Sequence, residues 1–315
     1  MNILVTGGAG FIGSHICDAL LDRGDCVVCV DNFDSYYDPA IKEKNIKQCL
    51  LNSNFELYKV DVRDFEKLGK IFEKEKIDKI VHLAAKAGVR ASFENQKEYF
   101  DVNVNGTKNL LELAVRHKIK NFVFGSSSSV YGVNKKVPFS EDDKADNQIS
   151  PYAESKRKAE LLCKDFHDKN HLNVTCLRFF TVYGPRGRPD MAPYKFTKII
   201  SDGKEIEMYG DGTTKRDYTY IKDIINGVVS ALDKDFGFEI INLGDSNTVE
   251  LTYFIKLIEK NVGKKAKIKK MPMQKGDVPV TYADITKARR LLGYEPKVKI
   301  EEGIKLFVDW FKRQR

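Results

Sequence analysis

The run Gly7-Gly8-Ala9-Gly10-Phe11-Ile12-Gly13 limits the possible folds of this chain more than any other stretch, because of what flanks it. Before it, Asn2-Ile3-Leu4-Val5-Thr6 reads as a short buried strand. After it, Phe11, Ile12, His15, Ile16, Ala19 and Leu20 recur at helical spacing. Strand, glycine turn and amphipathic helix form the context in which Gly-x-Gly-x-x-Gly carries meaning. The glycines let the backbone approach a pyrophosphate, and the helix N-terminus stabilises its charge. The next strand, 26–30, ends at Asp31, 18 residues past Gly13. A carboxylate there suits an adenosine ribose 2′-hydroxyl. No Arg or Lys adjoins it to receive a 2′-phosphate, so NAD is expected rather than NADP.

The alternation continues along the chain. Phe55-Glu56-Leu57-Tyr58-Lys59-Val60 reads as a strand ending at Asp61-Val62, a plausible adenine contact. Lys79-Ile80-Val81-His82-Leu83-Ala84-Ala85 is the next, followed by a loop through Gly88-Val89-Arg90. A helix over 101–117 precedes the strand Asn121-Phe122-Val123-Phe124, which delivers four serines. A helix over 152–168 leads to the strand Val174-Thr175-Cys176-Leu177-Arg178-Phe179. Strands alternating with helices imply an α/β fold with parallel order and right-handed crossovers. Ligands then lie beyond the carboxyl ends of the strands. Gly7 to Gly13, Asp31, Asp61, Ala85, the serines and residues 180–184 all fall at such ends. After Gly184 the text changes to closely spaced Pro185, Pro189 and Pro193 with interleaved basic residues. The expectation is a cofactor domain over residues 1–180 and a smaller substrate-binding lobe over 181–315. A strand near 238–244 should return to the first sheet. Further helices are expected near 251–262, 284–292 and 301–313.

Composition excludes several classes. No run of 18 apolar residues is present, so no membrane-spanning helix is expected, and Met1 leads straight into strand rather than a signal peptide. The length of 315 residues suits one large or two interlocked domains. The six Cys are scattered, which suggests a reducing cytoplasm. Cys26 and Cys29 lie three apart on a strand and point to opposite faces, so a shared metal is not expected. His167 and His171 lie four apart, but read as two solvated side chains at a helix end. The formal net charge is +8, with much of the excess in Lys264-Lys265-Ala266-Lys267-Ile268-Lys269-Lys270. No nucleic-acid motif accompanies it, and a basic face also suits an anionic small substrate.

Tyr152-Ala153-Glu154-Ser155-Lys156 places Tyr and Lys one helical turn apart. Alone, that spacing also fits a surface helix. Beside a cofactor, a Lys ammonium lowers the pKa of a neighbouring phenol, which can then take a proton from an alcohol. The glycine turn, Asp31, His82-Leu83-Ala84-Ala85, the serine cluster and Tyr152-x-x-x-Lys156 together resemble the extended short-chain dehydrogenase/reductases, over essentially the whole chain. Ser126-Ser127-Ser128-Ser129-Val130-Tyr131-Gly132 and Arg178-Phe179-Phe180-Thr181-Val182-Tyr183-Gly184-Pro185 look like nucleotide-sugar 4-epimerases. Gly187-Arg188-Pro189-Asp190-Met191-Ala192, with Val137-Pro138-Phe139-Ser140-Glu141, resembles the UDP-glucuronate 4-epimerases. Related 4,6-dehydratases carry Asp-Glu, and UDP-glucuronate decarboxylases a Glu, where this chain has Ser128 and Ser129. Galactose-type epimerases typically have Asn where this chain has Thr181.

The resemblance implies a Rossmann-type doubly wound parallel sheet with a C-terminal substrate lobe. It implies that NAD stays bound and that a UDP-sugar is epimerised at C4 through a 4-keto intermediate, most readily UDP-glucuronate to UDP-galacturonate. UDP-glucose or UDP-N-acetylglucosamine are the other sugars it allows. A non-catalytic NAD-binding protein on the same fold is the reading of another class. The implied catalytic residues are Tyr152, Lys156 and Ser127, with Ser128 or Ser129 able to share the last role. The implied cofactor contacts are Gly7, Gly10, Phe11, Ile12, Gly13, Asp31, Asn32, Asp61, Val62, Leu83, Ala85, Lys86, Asn103 and Val182, with Tyr152 and Lys156. Arg216 and Asp277 match positions that hold the UDP pyrophosphate and ribose, and Gln274 stands where relatives often have Arg. Arg188, Thr181, Ser128 and Ser129 are the candidates around a uronate carboxylate, with Arg90 and Met191 nearby. A homodimer through helices 101–117 and 152–168, with no nucleic acid, membrane or metal, completes the expectation.

Overall fold

The alternating pattern folds into a sheet of seven parallel strands, described by a computed structural model covering residues 1–134, 136–273 and 277–314. Gln274 lies outside the described residues. The first part comprises β1 (Asn2–Thr6), α1 (Phe11–Asp22), β2 (Cys26–Val30), α2 (Pro39–Ile46), β3 (Phe55–Tyr58) and α3 (Phe65–Glu75). It continues with β4 (Lys79–His82), α4 (Gln96–Phe100), α5 (Gly106–Arg116), β5 (Asn121–Ser127), α6 (Pro151–Asn170) and β6 (Val174–Phe179). The remainder holds β7 (Thr181–Tyr183), α7 (Ala192–Ser201), β8 (Glu205–Tyr209), β9 (Lys215–Arg216), β10 (Tyr218–Tyr220) and α8 (Ile221–Leu232). It ends with β11 (Phe238–Leu243), β12 (Val249–Glu250), α9 (Leu251–Val262), β13 (Lys267–Met271), α10 (Thr286–Leu292) and α11 (Ile300–Arg313).

The order across the sheet is β11-β6-β5-β4-β1-β2-β3. Both faces are covered, so the strands are nearly continuous apolar runs. Ile3 and Val5 face one buried cluster, which α1 and α8 cover; Leu4 between them faces the other, under α3, α5 and α6. The chain runs outward from β1 to β3, then crosses to β4 on the other side of β1. That reversal opens the crevice in which a doubly wound sheet binds its ligand. β11 pairs with β6 from Phe238↔Val174 to Leu243↔Phe179, so the chain re-enters the sheet after leaving it.

Local signals explain the element that carries Tyr152. Ser150 caps α6 by accepting the Ala153 N–H at 3.2 Å, Pro151 fills the first turn, and His171 ends the helix in the left-handed conformation. The helix expected over 101–117 begins at α4 instead, and residues Asp101–Asn105 form a π-helical turn before α5. β5 extends beyond Phe124 to Ser127 because Ser126 and Ser127 pair with Arg178 and Phe179. His167 Nδ1 donates to the Leu172 carbonyl at 2.9 Å, and its ring lies 6.0 Å from that of Phe238. Among the described residues no cluster of His, Cys, Asp or Glu could hold a metal ion, and no helix is long and apolar enough to cross a membrane.

Candidate active site

The glycine turn and the strand ends enclose one cleft. Gly7, Gly10, Phe11, Ile12 and Gly13 line it from the turn, and Asp31, Asn32, Asp61 and Val62 from the next strand ends. Leu83, Ala85 and Lys86 close the side beyond β4, and Tyr152 and Lys156 the far end. Gly7 needs to be glycine twice over: its φ is +69°, and a Cβ would lie 2.8 Å from the Ala84 nitrogen. A side chain at Gly13 would run into the Gly7 carbonyl, so α1 packs directly on the turn. This bare backbone at a helix N-terminus is the form a pyrophosphate requires, and the residues present fit a dinucleotide.

The acidic end of the cleft departs from the sequence expectation. Asp31 accepts the Ala9 N–H at 3.1 Å and the Phe33 N–H at 2.8 Å, as a carboxylate at a strand end should. Yet a Lys does adjoin it in space: Lys42 Nζ lies 3.3 Å from Asp31 Oδ1, nearly buried, with the Tyr37 ring 5.4 Å away. Lys42 comes from α2, eleven positions on, where neighbouring text gave no hint of it. Asp61 accepts from Asn32 at 2.8 Å and takes two 2.9 Å bonds from Arg63, whose hydrogen bonds pull its carboxyl down to about 2. Tyr36, Tyr37 and Arg63 are further neighbours that the sequence reading missed. Tyr36 and Tyr37 sit in Asp34-Ser35-Tyr36-Tyr37-Asp38, directly beyond the end of β2, which was their available signal.

Two expected cofactor contacts are not on the cleft surface. Asn103 is buried with its amide fully engaged: it accepts the Lys86 N–H at 2.8 Å and donates to the Lys86 carbonyl at 3.0 Å and to Ser155 Oγ at 2.9 Å. It therefore clamps the loop after β4 to α6, and the π-helical turn presents Val102 to the cleft in its place. Val182 is buried in β7 and does not line the cleft.

At the catalytic end the four serines separate. Ser126 Oγ donates to Glu160 at 2.6 Å, inside the protein. Ser127 stands close enough to the Tyr152 phenol to lower its pKa, and its Oγ accepts the Ser129 N–H at 3.2 Å. Burial raises the Tyr152 pKa; Ser127 and the charge of Arg188 pull it back down. Tyr152 also lies in the first turn of α6, where the helix dipole favours an anion. Lys156, the cation expected beside this phenol, is buried one helical turn further along α6. Lys156 Nζ donates to the Gly125 carbonyl at 2.8 Å and sits 4.9 Å over the Phe124 ring, and burial lowers its own pKa to about 8.

A second pocket adjoins the first. Arg90, Ser128, Ser129, Thr181, Arg216 and Asp277 line it together, with Ser150 and Thr281 also contributing. Arg216 and Asp277 pair at 3.0 Å, and Arg90, 60% exposed, approaches the same carboxylate at 3.9 Å over the Tyr209 ring. Arg188 and Met191 do not line this pocket. Arg188 lines the cofactor cleft instead. Its fork is engaged by Asp190 at 2.9 and 2.6 Å, because Pro189 turns the chain so that the carboxylate meets the guanidinium two residues back. Tyr36 donates to the same carboxylate at 3.2 Å.

A family profile described as GDP-mannose 4,6 dehydratase matches residues 4–307. A UDP-glucuronate 4-epimerase of Thermodesulfobacterium geofontis is 46% identical over 310 residues, covering 98% of this chain and 95% of that protein. The crystal structure of UDP-glucuronic acid 4-epimerase from Bacillus cereus, with UDP-glucuronic acid and NAD, superposes with a TM-score of 0.95 at 38% identity over 100% of both chains. UDP-glucose 4-epimerase from Thermotoga maritima, with UDP-glucose, reaches 0.92 at 36% identity over 100% of this chain and 99% of that one. The NAD expected from Asp31 is thus the cofactor crystallised in a full-length structural neighbour. The chain belongs to this GDP-mannose 4,6 dehydratase family, among its extended short-chain dehydrogenase/reductases that are nucleotide-sugar epimerases.

Proposed function

We propose that this protein interconverts UDP-glucuronate and UDP-galacturonate by reversible oxidation at C4. The observation that carries the reading is the hydroxyl wall of Ser128, Ser129 and Thr181, in one pocket with Arg90 and Arg216, beside Ser127 and Tyr152. Bound NAD supplies the hydride acceptor and donor for C4. Tyr152, beside Ser127, takes the proton of the 4-hydroxyl and returns it after the sugar has presented its other face. The α6 N-terminus and Arg188 favour the phenolate needed for the first step. Lys156 uses one N–H on Gly125 and keeps two for a ribose. Arg216 and Asp277 suit the pyrophosphate and the uridine ribose.

The hydroxyl wall also bears on what the site avoids. A 4-keto uronate is a β-keto acid, and losing carbon dioxide moves its charge off the carboxylate. Donors fixed on that carboxylate stabilise the charge where it starts, which opposes the loss. With Ser at 128 and 129 there is no carboxylate base in that position to remove the C5 proton, so elimination lacks its agent. UDP-glucose 4-epimerisation is the second reading, favoured by one observation: the Arg188 fork is engaged by Asp190 rather than open to a substrate anion. A homodimer through α4–α5 and α6 belongs to the same proposal; Leu161 on α6 stands half-exposed.

The test is proton NMR of the protein with NAD and each of UDP-glucuronate, UDP-glucose and UDP-N-acetylglucosamine. UDP-galacturonate should accumulate from the first. A UDP-pentose product, or turnover of UDP-glucose alone, overturns the assignment. Tyr152→Phe should abolish turnover and leave NAD affinity within about threefold.

A further inference from the structure

Beneath the serines lies a buried charge network that the chemistry above does not use. Glu160 and Arg178 are 1% and 2% exposed and join through two bonds of 2.8 Å. Glu160 also accepts from Ser126 Oγ at 2.6 Å and from Arg157 at 3.0 Å. Arg178 lies 4.7 Å from the Tyr131 ring centre, and its Nη1 has no hydrogen-bond partner among the described residues. A buried ion pair is a poor source of stability, since desolvation offsets the attraction. A buried, unpartnered N–H makes it poorer still. Well-packed apolar side chains would hold α6 on the sheet as firmly, so the arrangement calls for another explanation.

Its position supplies one. Tyr152, Lys156 and Glu160 stand four residues apart on α6, in one line down the face that meets the sheet. Ser126, bonded to Glu160, immediately precedes Ser127, the serine that lies beside Tyr152. We propose that Glu160 is a positioning residue for the catalytic centre: it fixes Ser127 through Ser126 and sets its carboxylate one helical turn from Lys156. This rests on the catalytic roles given to Ser127, Tyr152 and Lys156 above.

The groups around both partners are consistent. Burial pushes the Glu160 carboxyl up, and Arg178, Ser126 and Arg157 more than reverse that, so it stays ionised. The titratable groups facing Lys156 are Glu160 and Cys163 on its own helix, Cys176 on β6 and His82 on β4. β5 contributes the Gly125 carbonyl and the Phe124 ring. Burial drives the Lys156 pKa down to about 8, and Cys163, Glu160 and Cys176 oppose the fall, Glu160 being the carboxylate among them. Neutralising Glu160 removes that support and leaves the Arg178 cation without its partner, and both effects push Lys156 the same way.

The experiment compares wild type, Glu160→Gln and the double variant Glu160→Met/Arg178→Met. In Glu160→Gln the alkaline limb of the kcat–pH profile should move to lower pH by about one unit, about a tenfold loss of kcat per unit on that limb. NAD affinity should stay within about threefold. The double variant should recover the melting temperature but not kcat. Recovery of both, or an unmoved alkaline limb in Glu160→Gln, overturns the proposal. Selective 15N labelling of lysine reads the Lys156 titration directly, without substrate. Should the wild type turn over no UDP-sugar, the epimerase reading fails. An unchanged Lys156 midpoint in Glu160→Gln refutes the positioning role on its own.

Discussion

Gly13→Ala tests whether the glycine turn is the pyrophosphate cradle. The added Cβ would lie 2.8 Å from both the Gly7 carbonyl carbon and the Gly8 Cα, and closer still to the Gly7 oxygen. Ordinary contact begins at 3.4 Å, so the turn and α1 must separate by more than half an ångström. Every atom in the way is backbone, so no side-chain rotation can relieve the clash. Overpacking of this kind costs about 1–3 kcal/mol, or a few degrees of melting temperature in a chain of this size. The effect on binding should be larger. Backbone N–H groups that meet a pyrophosphate make charge-assisted bonds worth about 1.5–3 kcal/mol each. Misplacing two of them weakens NAD by about 100-fold or more. Gly69→Ala is the control: it sits inside α3, the nearest atom to its Cβ is Leu113 Cδ2 at 3.9 Å, and it should stabilise by about 0.5–1 kcal/mol without touching NAD. The assays are isothermal titration of NAD and thermal melting of the NAD-free protein. Retention of NAD affinity within threefold in Gly13→Ala would refute the cradle.

Stability should fall in acid through His82. Burial and the Lys156 charge lower its pKa to about 3. Its Nε2 donates to Thr107 Oγ1 at 2.9 Å, and its Nδ1 accepts from Thr6 Oγ1 at 2.7 Å, an arrangement that requires the neutral ring. Unfolded histidine titrates near 6.5, so this contribution is complete above that pH and is lost as pH falls toward 3. By pH 5 the loss is about 2 kcal/mol; urea midpoints for wild type and His82→Gln that shift equally between pH 7.5 and 5 would refute it. Arg216→Ala should raise KM for the UDP-sugar about 10- to 100-fold with little change in kcat or NAD affinity, measured by steady-state kinetics.

The fold was legible where one physical rule dominates. Period-2 and period-3.6 apolar patterns mark the strands and helices, and parallel crossovers then send Gly7, Asp31, Asp61 and Ala85 to one edge. What the sequence hid is adjacency between segments. Lys42 reaches Asp31 only because Asp38 and Pro39 start α2 at an angle that returns it to the strand end. Asn103 lies in the helix that was read, but the π-helical turn rotates its amide toward Lys86 and Ser155. Arg188 was read as open to substrate, although its partner Asp190 stands two residues away in the same motif. A short-range ion pair across a proline turn leaves no periodic trace, whereas an Arg in a loop invites a functional reading.

The serine cluster explains how one stretch of text serves three purposes. Along a strand, successive side chains point to opposite faces, so Ser126 and Ser127 cannot share a role. Ser126 turns inward to Glu160, and Ser127 turns outward to Tyr152. The strand ends there, and Ser127 caps a short 3-10 turn over residues Ser128–Tyr131. That change of backbone carries Ser128 and Ser129 off the strand and into the second pocket. Identity at these two positions is therefore independent of the proton relay at Ser127. A carboxylate there could be gained or lost without disturbing Tyr152, Lys156 or the sheet. Ser128 and Ser129 line the second pocket, where our proposal seats the uronate carboxylate. The single-residue expression of this is Ser129→Glu: it should leave NAD binding and the Ser127–Tyr152 contact in place, and add an acid to the substrate wall that repels a uronate. UDP-glucuronate turnover in Ser129→Glu should fall more steeply than UDP-glucose turnover. Equal loss on both sugars would show that the hydroxyl wall does not read the carboxylate.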